Sequence, residues 1–159
     1  MVFPIQSASS APTSSAPTAP PLHVATAGEA LFDLIEEPDG RLKPCAGGAV
    51  YNLTRALGLQ GVGTLYLNPL SGDMLGRQLA RGLHEAGVAL AAPTPVRAPS
   101  ALALAALDAG GKASYSFYRD GVADRQVTAA ALTAACAALP DLQVVATGCL
   151  ALVAQDAAI

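Results

Sequence analysis

Apolar and amphipathic segments alternate along most of this chain, and the alternation is the strongest constraint on its fold. Three short apolar runs predict buried strands, and they lie at 23–35, 61–70 and 142–152. Between them lie stretches whose apolar residues recur at helical spacing. Strands separated by helices are joined by crossovers and form parallel sheets. We therefore expect an α/β domain with a mostly parallel sheet.

The first predicted helix begins after two adjacent glycines, Gly47 and Gly48, and Gly58 has the position of a C-terminal glycine that ends it. One buried stripe is expected on this helix, formed by Val50, Leu53 and Leu57.

Two further helices are predicted by their caps and their apolar spacing. One occupies 71–87, where Ser71 or Asp73 is expected to cap the start and Gly87 to close the end. The other runs from about Thr128 to Leu139, and the apolar run that follows it predicts the last buried strand. A parallel strand needs helices on both faces, so a sheet that stops at this strand is expected to be unfinished.

Two hairpins are predicted outside the crossover units. Residues 31–45 contain the turn signal Asp39-Gly40, and residues 100–119 contain two strand-like arms around Gly110-Gly111. Alternation in the second arm places Tyr115, Phe117 and Arg119 on one face, and Ser114, Ser116 and Tyr118 on the other. We expect these hairpins to act as a lid over the carboxyl edge of the sheet, where ligands bind in such folds.

Composition excludes several classes of partner. The chain has 159 residues, enough for one domain, and its net charge of −3 comes without a basic patch, so no nucleic-acid partner is expected. No uninterrupted apolar run is long enough to span a membrane, so no membrane partner is expected. Residues 1–22 are rich in Ser, Ala, Thr and Pro and are interpreted as a disordered leader or a misassigned start.

Cysteine and histidine spacing gives no metal motif. The three cysteines and two histidines are far apart in sequence and form no C-x-x-C pair or Cys/His cluster, so no metal site is expected. A sparse, odd set of cysteines fits a reducing cytoplasm better than a disulfide scaffold. These residues are Cys45, Cys136, Cys149, His23 and His84.

The familiar nucleotide-binding and hydrolytic motifs are also absent from the sequence. There is no P-loop, and the G-x-G at Gly61 to Gly63 enters a predicted strand, whereas a dinucleotide fingerprint leaves one. No spacing suggests a Ser/His/Asp set. A nucleotide-binding domain of another class is therefore the weakest hypothesis.

The glycine pair is the remaining candidate site. Glycines at a helix start leave backbone N–H groups open to an oxygen-rich ligand, and Asn52 lies one turn further along the helix. With Asp33 at a strand end as an acceptor of hydroxyl protons, the set suits a polyol such as a sugar. The alternative is a tight strand–helix junction in which Asn52 bonds locally, and spacing alone slightly favours this alternative.

Four sequence blocks resemble the ribokinase-like (PfkB) carbohydrate kinases, especially the fructokinase and 2-keto-3-deoxygluconate kinase branch. The likeness extends from about Val24 to Leu152, and the blocks occur in family order. They are GEALFDLI, GGAVYNLTRALGLQG, LNPLSGDMLGRQLARGLHEAGV and SALALAALDAGGKASYSFYRDGVAD. The resemblance implies part of a three-layer sandwich with a mostly parallel sheet and β-hairpin lid elements. Asn68-Pro69 stand where many relatives have a glycine, so the local backbone is expected to differ.

The resemblance implies transfer of the γ-phosphoryl group of ATP to a sugar hydroxyl. Tyr118 and Arg119 match an aromatic-Tyr-Arg run that reaches a ketose or a sugar acid, and Arg119 is suited to a substrate carboxylate. The residues matched to substrate-contacting positions are Asp33, Gly47, Gly48, Asn52, Tyr118 and Arg119. By the same resemblance, the two hairpins are expected to close over the sugar, and a homodimer through the lid strands is expected.

One family motif does not occur in the sequence. The catalytic Asp of these kinases belongs to a Gly-Ala-Gly-Asp motif in the C-terminal half, which also carries the nucleotide pocket and the Mg²⁺-linked phosphate contacts. Residues 23–159 are therefore expected to correspond to the N-terminal, sugar-binding portion, without a catalytic residue. Neither ATP nor Mg²⁺ is expected to bind fully to this chain, and no phosphoryl transfer is expected from it alone. The alternative is a non-catalytic module that binds a sugar or assembles with itself.

Overall fold

Two four-stranded sheets and four α-helices make up residues 20–107 and 113–152, which are the residues described by this computed structural model. The predicted Gly110-Gly111 turn and most of the predicted leader lie outside the described residues. The strands are β1 (Val24–Ala27), β2 (Leu31–Glu36), β3 (Leu42–Gly47), β4 (Thr64–Tyr66), β5 (Ala89–Leu90), β6 (Ala101–Leu107), β7 (Ala113–Tyr118) and β8 (Val144–Thr147). The helices are α1 (Ala49–Leu59), α2 (Met74–Glu85), α3 (Ala129–Ala137) and α4 (Cys149–Leu152).

The main sheet is parallel and lies between helices, which confirms the predicted α/β class. Its strand order is β5–β4–β1–β8. Tyr66 of β4 packs with α1 and α2, whereas its neighbour Leu65 packs in a cluster with residues of α3. Alternate side chains of one strand therefore enter cores on opposite faces of the sheet.

The second sheet contains both predicted hairpins. β2 pairs antiparallel with β3, and β6 pairs antiparallel with β7, as the turn signals predicted. The parallel pairing of β2 with β6 joins the hairpins into the order β3–β2–β6–β7, and the sequence did not predict this long-range pairing.

The prediction of one strand across residues 23–35 is wrong. β1 belongs to the main sheet and β2 to the second sheet, and the chain changes sheets at Gly28. A Cβ at Gly28 would overlap the side chain of Val50, so only glycine fits this crossing. Tyr66 Oη donates to Gly28 O at 2.7 Å, and Gly28 N donates to Asn68 Oδ1 at 2.8 Å.

The end and the buried face of α1 differ from the prediction. Gly58 lies inside the helix, where it allows close contact with Ala86 O, and Gly61, with φ of 77°, follows the helix end. Leu53 is 42% exposed, whereas Val50, Tyr51 and Thr54 are the buried residues of the helix. The helix is turned toward α2 because Tyr51 Oη donates to Leu79 O and Arg55 Nε donates to Gly82 O.

Asp73 caps α2, as predicted, and also fixes the chain before β6. Its Oδ1 accepts from Gly76 N at 2.6 Å and from the Ser100 hydroxyl at 2.8 Å, while Oδ2 accepts from Ser100 N at 2.8 Å. Gly87, with φ of 75°, follows the helix in the predicted closing position. Asp73 therefore joins α2 to the entry of the second sheet.

The C-terminal elements confirm one prediction and correct another. Thr128 caps α3, whose bounds fall within the predicted helix. The predicted buried strand at 142–152 is only partly a strand, because β8 ends at Thr147 and α4 begins at Cys149. Val144 and Val145 are more than half exposed, since β8 is an edge strand of the main sheet in the described residues. Within those residues, no helix is both long enough and apolar enough to cross a membrane.

We predict that Asn68→Ala lowers the free energy of unfolding by about 2–4 kcal/mol, because it leaves two buried backbone groups unpaired. Asn68 accepts from Gly28 N and donates from Nδ2 to Asp124 O at 2.7 Å. Urea unfolding measures the change. Asn52→Ala is the matched control, because that exposed amide has no hydrogen bond to another described residue. Equal stability of the two variants would contradict the role given to Asn68.

We predict that Asp73→Ala lowers stability by about 0.5–2 kcal/mol near neutral pH, through loss of the cap. Burial opposes ionisation of Asp73, but hydrogen bonds from Gly76, Ser100 and Ser71 outweigh it and lower the pKa of the carboxyl below 3.8. A carboxyl with a lowered folded-state pKa stabilises the fold above its unfolded pKa, and this contribution is lost as pH falls through the folded pKa. Urea unfolding at a series of pH values should show the difference between wild type and variant shrinking below pH 3.8. A difference that stays constant into this acid range contradicts the prediction.

Candidate functional site

The carboxylate of Asp33 lies beside Gly47, just before the start of α1. Its strand pairing places it opposite Cys45 on β3, and a Cβ at Gly47 would overlap Asp33 Oδ2. The Asp33 carboxylate has no hydrogen-bond partner among the described residues, and partial burial raises the pKa of this carboxyl above its ordinary value. Gly47 therefore makes room for an oxygen acceptor that the fold itself does not use.

The N-terminus of α1 is held by a residue that the sequence reasoning missed. Gly48 is the N-cap, with φ of 105°, and a Cβ there would lie 2.7 Å from Glu29 O. The Glu29 side chain accepts from Ala49 N at 3.0 Å, and its carbonyl accepts from Tyr51 N at 3.2 Å. Two of the backbone N–H groups that the sequence left open to a ligand are thus occupied. No local signal identified Glu29, because it lies 20 residues before Ala49, whose backbone N–H it accepts from.

Asn52 lies on the first turn of α1 with an unused amide. Its backbone N–H donates to Gly48 O at 2.9 Å, and its side chain is exposed without a hydrogen bond to the described residues. The alternative in which Asn52 bonds locally through its side chain therefore does not describe this structure. The fold brings Asp33, Gly47, Gly48 and Asn52 together where the second sheet meets α1.

Tyr118 and Arg119 are placed differently from this group. The register pairs Ala103 with Phe117 and Leu102 with Tyr118, so Phe117 shares the sheet face of Asp33, whereas Tyr118 lies on the opposite face. Arg119 follows β7, and its Nη2 donates to Leu150 O of α4 at 2.9 Å. Burial lowers the pKa of the Arg119 guanidinium, and its buried Nε has no partner in the described residues.

A cavity of about 240 Å³ lies at the carboxyl ends of β1 and β8. Its charged and amide lining comes from residues far apart in sequence, namely Glu29, Asn68, Arg119, Asp124 and Arg125. Asp124 follows β7 in a 3₁₀ turn (Ala123–Arg125) and is buried, and this burial raises the pKa of its carboxyl. Ala30 N donates to the same carboxylate.

Neither Glu29 nor Asp124 was identified from the sequence as a site residue. In the part of the chain that the structure describes, no three His, Cys, Asp or Glu side chains come together as a metal-binding group. The chemistry that the cavity offers is hydrogen bonding to a polar ligand.

Comparison with known proteins matches part of the chain to fructokinases. No family model matches the chain. A curated fructokinase from Rhizobium leguminosarum bv. trifolii is 34% identical over 109 residues, which cover 66% of this chain and 33% of the relative. The chain therefore spans about a third of the length of that relative.

Solved structures agree with the sequence match. Fructokinase from Xylella fastidiosa is 33% identical with a TM-score of 0.61, over 68% of this chain and 37% of that one. A structure of Xylella fastidiosa fructokinase with bound ATP matches at 30% identity and the same TM-score of 0.61, over 69% of this chain and 37% of that one.

A putative ribokinase II from E. coli shares the fold, with a TM-score of 0.67 at 18% identity, over 79% of this chain and 43% of that one. The two-sheet α/β fold and these matches confirm the resemblance predicted from the sequence: the chain is similar to about a third of the fructokinases from Rhizobium leguminosarum bv. trifolii and Xylella fastidiosa, and it shares the fold of the putative ribokinase.

Proposed function

We propose that this chain is the N-terminal, sugar-binding portion of an ATP-dependent, fructokinase-like carbohydrate kinase. The observation that carries the proposal is the Asp33 carboxylate, which has no hydrogen-bond partner in the described part of the chain and lies beside Gly47, close to the start of α1. A carboxylate accepts hydrogen bonds from sugar hydroxyls, and the free amide of Asn52 both donates and accepts them. Gly47 makes room for the Asp33 carboxylate, and Gly48 makes room for the Glu29 carbonyl at the start of α1.

Arg119 and Tyr118 are the less direct members of the proposed site. Arg119 donates to Leu150 O, which leaves other guanidinium N–H groups for a ligand. Tyr118 is 58% exposed and lies on the sheet face opposite to Asp33. It can contact a sugar bound at Asp33 only if that sugar extends past the end of β7. We assign the direct contacts to Asp33, Gly47, Gly48 and Asn52.

In the whole kinase, the phosphoryl donor is proposed to be ATP with Mg²⁺, and the acceptor a hydroxyl of a ketose or sugar acid. ATP is bound in the matched Xylella fastidiosa fructokinase structure, and this supports the nucleotide. We assign the second sheet the role of a lid that excludes water from the transfer. The chain is proposed to function in the cytoplasm, where the free cysteines Cys45, Cys136 and Cys149 stay reduced.

A second candidate function is self-assembly through the second sheet. Tyr115 and Phe117 stack with ring centroids 6.1 Å apart, and both are at least half exposed. An exposed aromatic pair on a sheet face favours burial against another surface, and a homodimer through these strands is the corresponding proposal. Analytical ultracentrifugation of wild type and Phe117→Ser distinguishes a dimer from a monomer.

We predict that Asp33→Ala and Asn52→Ala each abolish protection of the protein by fructose against thermal unfolding. Each variant removes a side chain that we assign to sugar hydroxyls, and neither side chain has another hydrogen-bond partner among the described residues. Differential scanning fluorimetry across a fructose titration measures the protection. Glu36→Ala is the matched control for Asp33, because it removes an exposed carboxylate from the same strand. Unchanged protection in both site variants would sink the assignment.

We predict no ADP release by the purified 159-residue chain with ATP and fructose, ribose or 2-keto-3-deoxygluconate. Phosphoryl transfer depends on positioned charge around the transferred group, and the sequence lacks the family motif that supplies it. A coupled ADP-release assay measures turnover, with an active fructokinase as the positive control. Turnover above the protein-free rate would overturn the prediction of inactivity.

A further inference from the structure

The cavity at the carboxyl edge of the main sheet lies where the strand order of that sheet reverses. The chain passes from β1 to β4 and β5 on one side, then returns to β8 on the other side of β1. Ala27 ends β1, Thr147 ends β8, and both residues line the cavity. A crevice outside the carboxyl ends of strands at such a reversal is the usual ligand site of open α/β sheets.

Three buried polar atoms around this cavity have no partner in the described residues. They are Glu29 Oε2, Asp124 Oδ1 and Arg119 Nε, and Glu29 and Asp124 are only 3% and 5% exposed. Buried polar side-chain atoms are nearly always hydrogen-bonded in native proteins. Three unsatisfied atoms on residues that line one cavity therefore indicate a polar ligand that completes them.

The neighbourhood of Glu29 leaves one side of its carboxylate open. A Cβ at Gly148 would lie 3.2 Å from Oε2 and 3.3 Å from Oε1, so the glycine keeps this side clear. Oε1 already accepts from Ala49 N at the start of α1, and Oε2 remains for a ligand. Glu29 thus connects the proposed sugar-binding end of α1 with the cavity.

The mixture of acceptors and donors selects the class of ligand. The guanidinium groups of Arg119 and Arg125 lie close enough to Asp124 to affect its ionisation, so the carboxylates are partly offset by positive charge. This offset and the lack of three metal-ligating side chains among the described residues disfavour a metal ion. A hydroxyl group both donates and accepts, and a neutral polyol satisfies two carboxylate acceptors and one donor together.

We propose that the cavity is an inner subsite of the sugar site, where hydroxyls of a neutral sugar donate to Glu29 and Asp124 and accept from Arg119. This inference rests on the proposed function, because it takes the ligand at the start of α1 to be a sugar. Two carboxylates and two guanidinium groups line the cavity and leave it without a net charge that attracts an anion, so the subsite favours a neutral ketose over a sugar acid.

The test uses the full 159-residue chain, labelled with ¹⁵N and titrated with D-fructose. We expect chemical-shift changes at the backbone amides of Gly28, Thr147 and Gly148 around the cavity, together with changes at Gly48 and Asn52. Calorimetry should give weaker binding of 2-keto-3-deoxygluconate than of fructose to the wild-type protein. Both measurements use wild type and therefore do not depend on whether any variant folds.

Two variants then assign the hydroxyl acceptors. Asp124→Asn and Glu29→Gln keep the shape of each side chain, and each should weaken fructose binding about tenfold or more, as expected for loss of a hydrogen bond to a buried charge. Asp120→Asn and Glu36→Gln are matched controls, because they change exposed carboxylates near the same segments and should leave the affinity unchanged.

The outcomes separate this inference from the proposed function. Shifts confined to Gly48 and Asn52, or unchanged affinity in both cavity variants, overturn the inner subsite and leave the proposed sugar site standing. Shifts confined to the cavity amides support the subsite and contradict the assignment at the start of α1. Absence of any fructose-dependent shift overturns both, and tighter binding of the sugar acid than of fructose contradicts the preference for a neutral ligand.

Discussion

The crossing of the chain from the main sheet to the second sheet at Gly28 is the constraint on which the site depends. The carbonyl of Gly28 accepts from Tyr66 Oη and its N–H donates to Asn68, so both backbone polar groups of this residue are bonded to the segment at and after β4. Because Val50 packs where a Cβ would be, α1 is held against the same point. Each buried hydrogen bond of this kind contributes about 0.5–1.5 kcal/mol. The crossing therefore fixes β2 relative to β1, and with it the position of Asp33.

Glu29 extends this constraint to the start of α1. Its side chain and its carbonyl both accept from the first turn of the helix, and a carboxylate at a helix N-terminus is also favoured by the helix dipole. The same residue has one buried oxygen without a partner in the described residues. One residue thus holds the helix that carries Asn52 and offers an oxygen to the cavity. The sugar-binding residues and the cavity are parts of one arrangement because Glu29 touches both.

The sequence predicted the features that depend on neighbours close along the chain. The glycine pair before α1, the Asp73 cap and the two hairpins were all predicted from local spacing, and the structure contains each of them. The split at Gly28 was missed because only Gly28 and the adjacent Glu29 interrupt the apolar run at this point. The exposed position of Leu53 was missed because contacts with α2 decide how α1 is turned.

Two residues of the cavity, Glu29 and Asp124, were missed for the same reason, because they depend on contacts between distant parts of the chain. Glu29 and Asp124 come from distant parts of the sequence, and neither matches a substrate-contacting position in the blocks that resemble the kinases. They meet because β1 and the segment after β7 reach the same edge of the main sheet. Family motifs identified the residues next to the glycine pair, but only the three-dimensional pairing of strands reveals which carboxylates are buried without partners.

Asn68 joins the two segments by which the chain enters and leaves the second sheet. Its side chain accepts from Gly28 N and donates to Asp124 O. The end of the second sheet next to Asn68 is therefore fixed to the main sheet. Asp33, Ala103 and Phe117 form one row across the second sheet, and Phe117, at the far end of this row, is half exposed. A sugar placed on this face would meet a carboxylate and an aromatic ring in one row. Sugars have polar edges and apolar C–H faces, so a fixed row that offers both kinds of contact favours a ring held in one orientation.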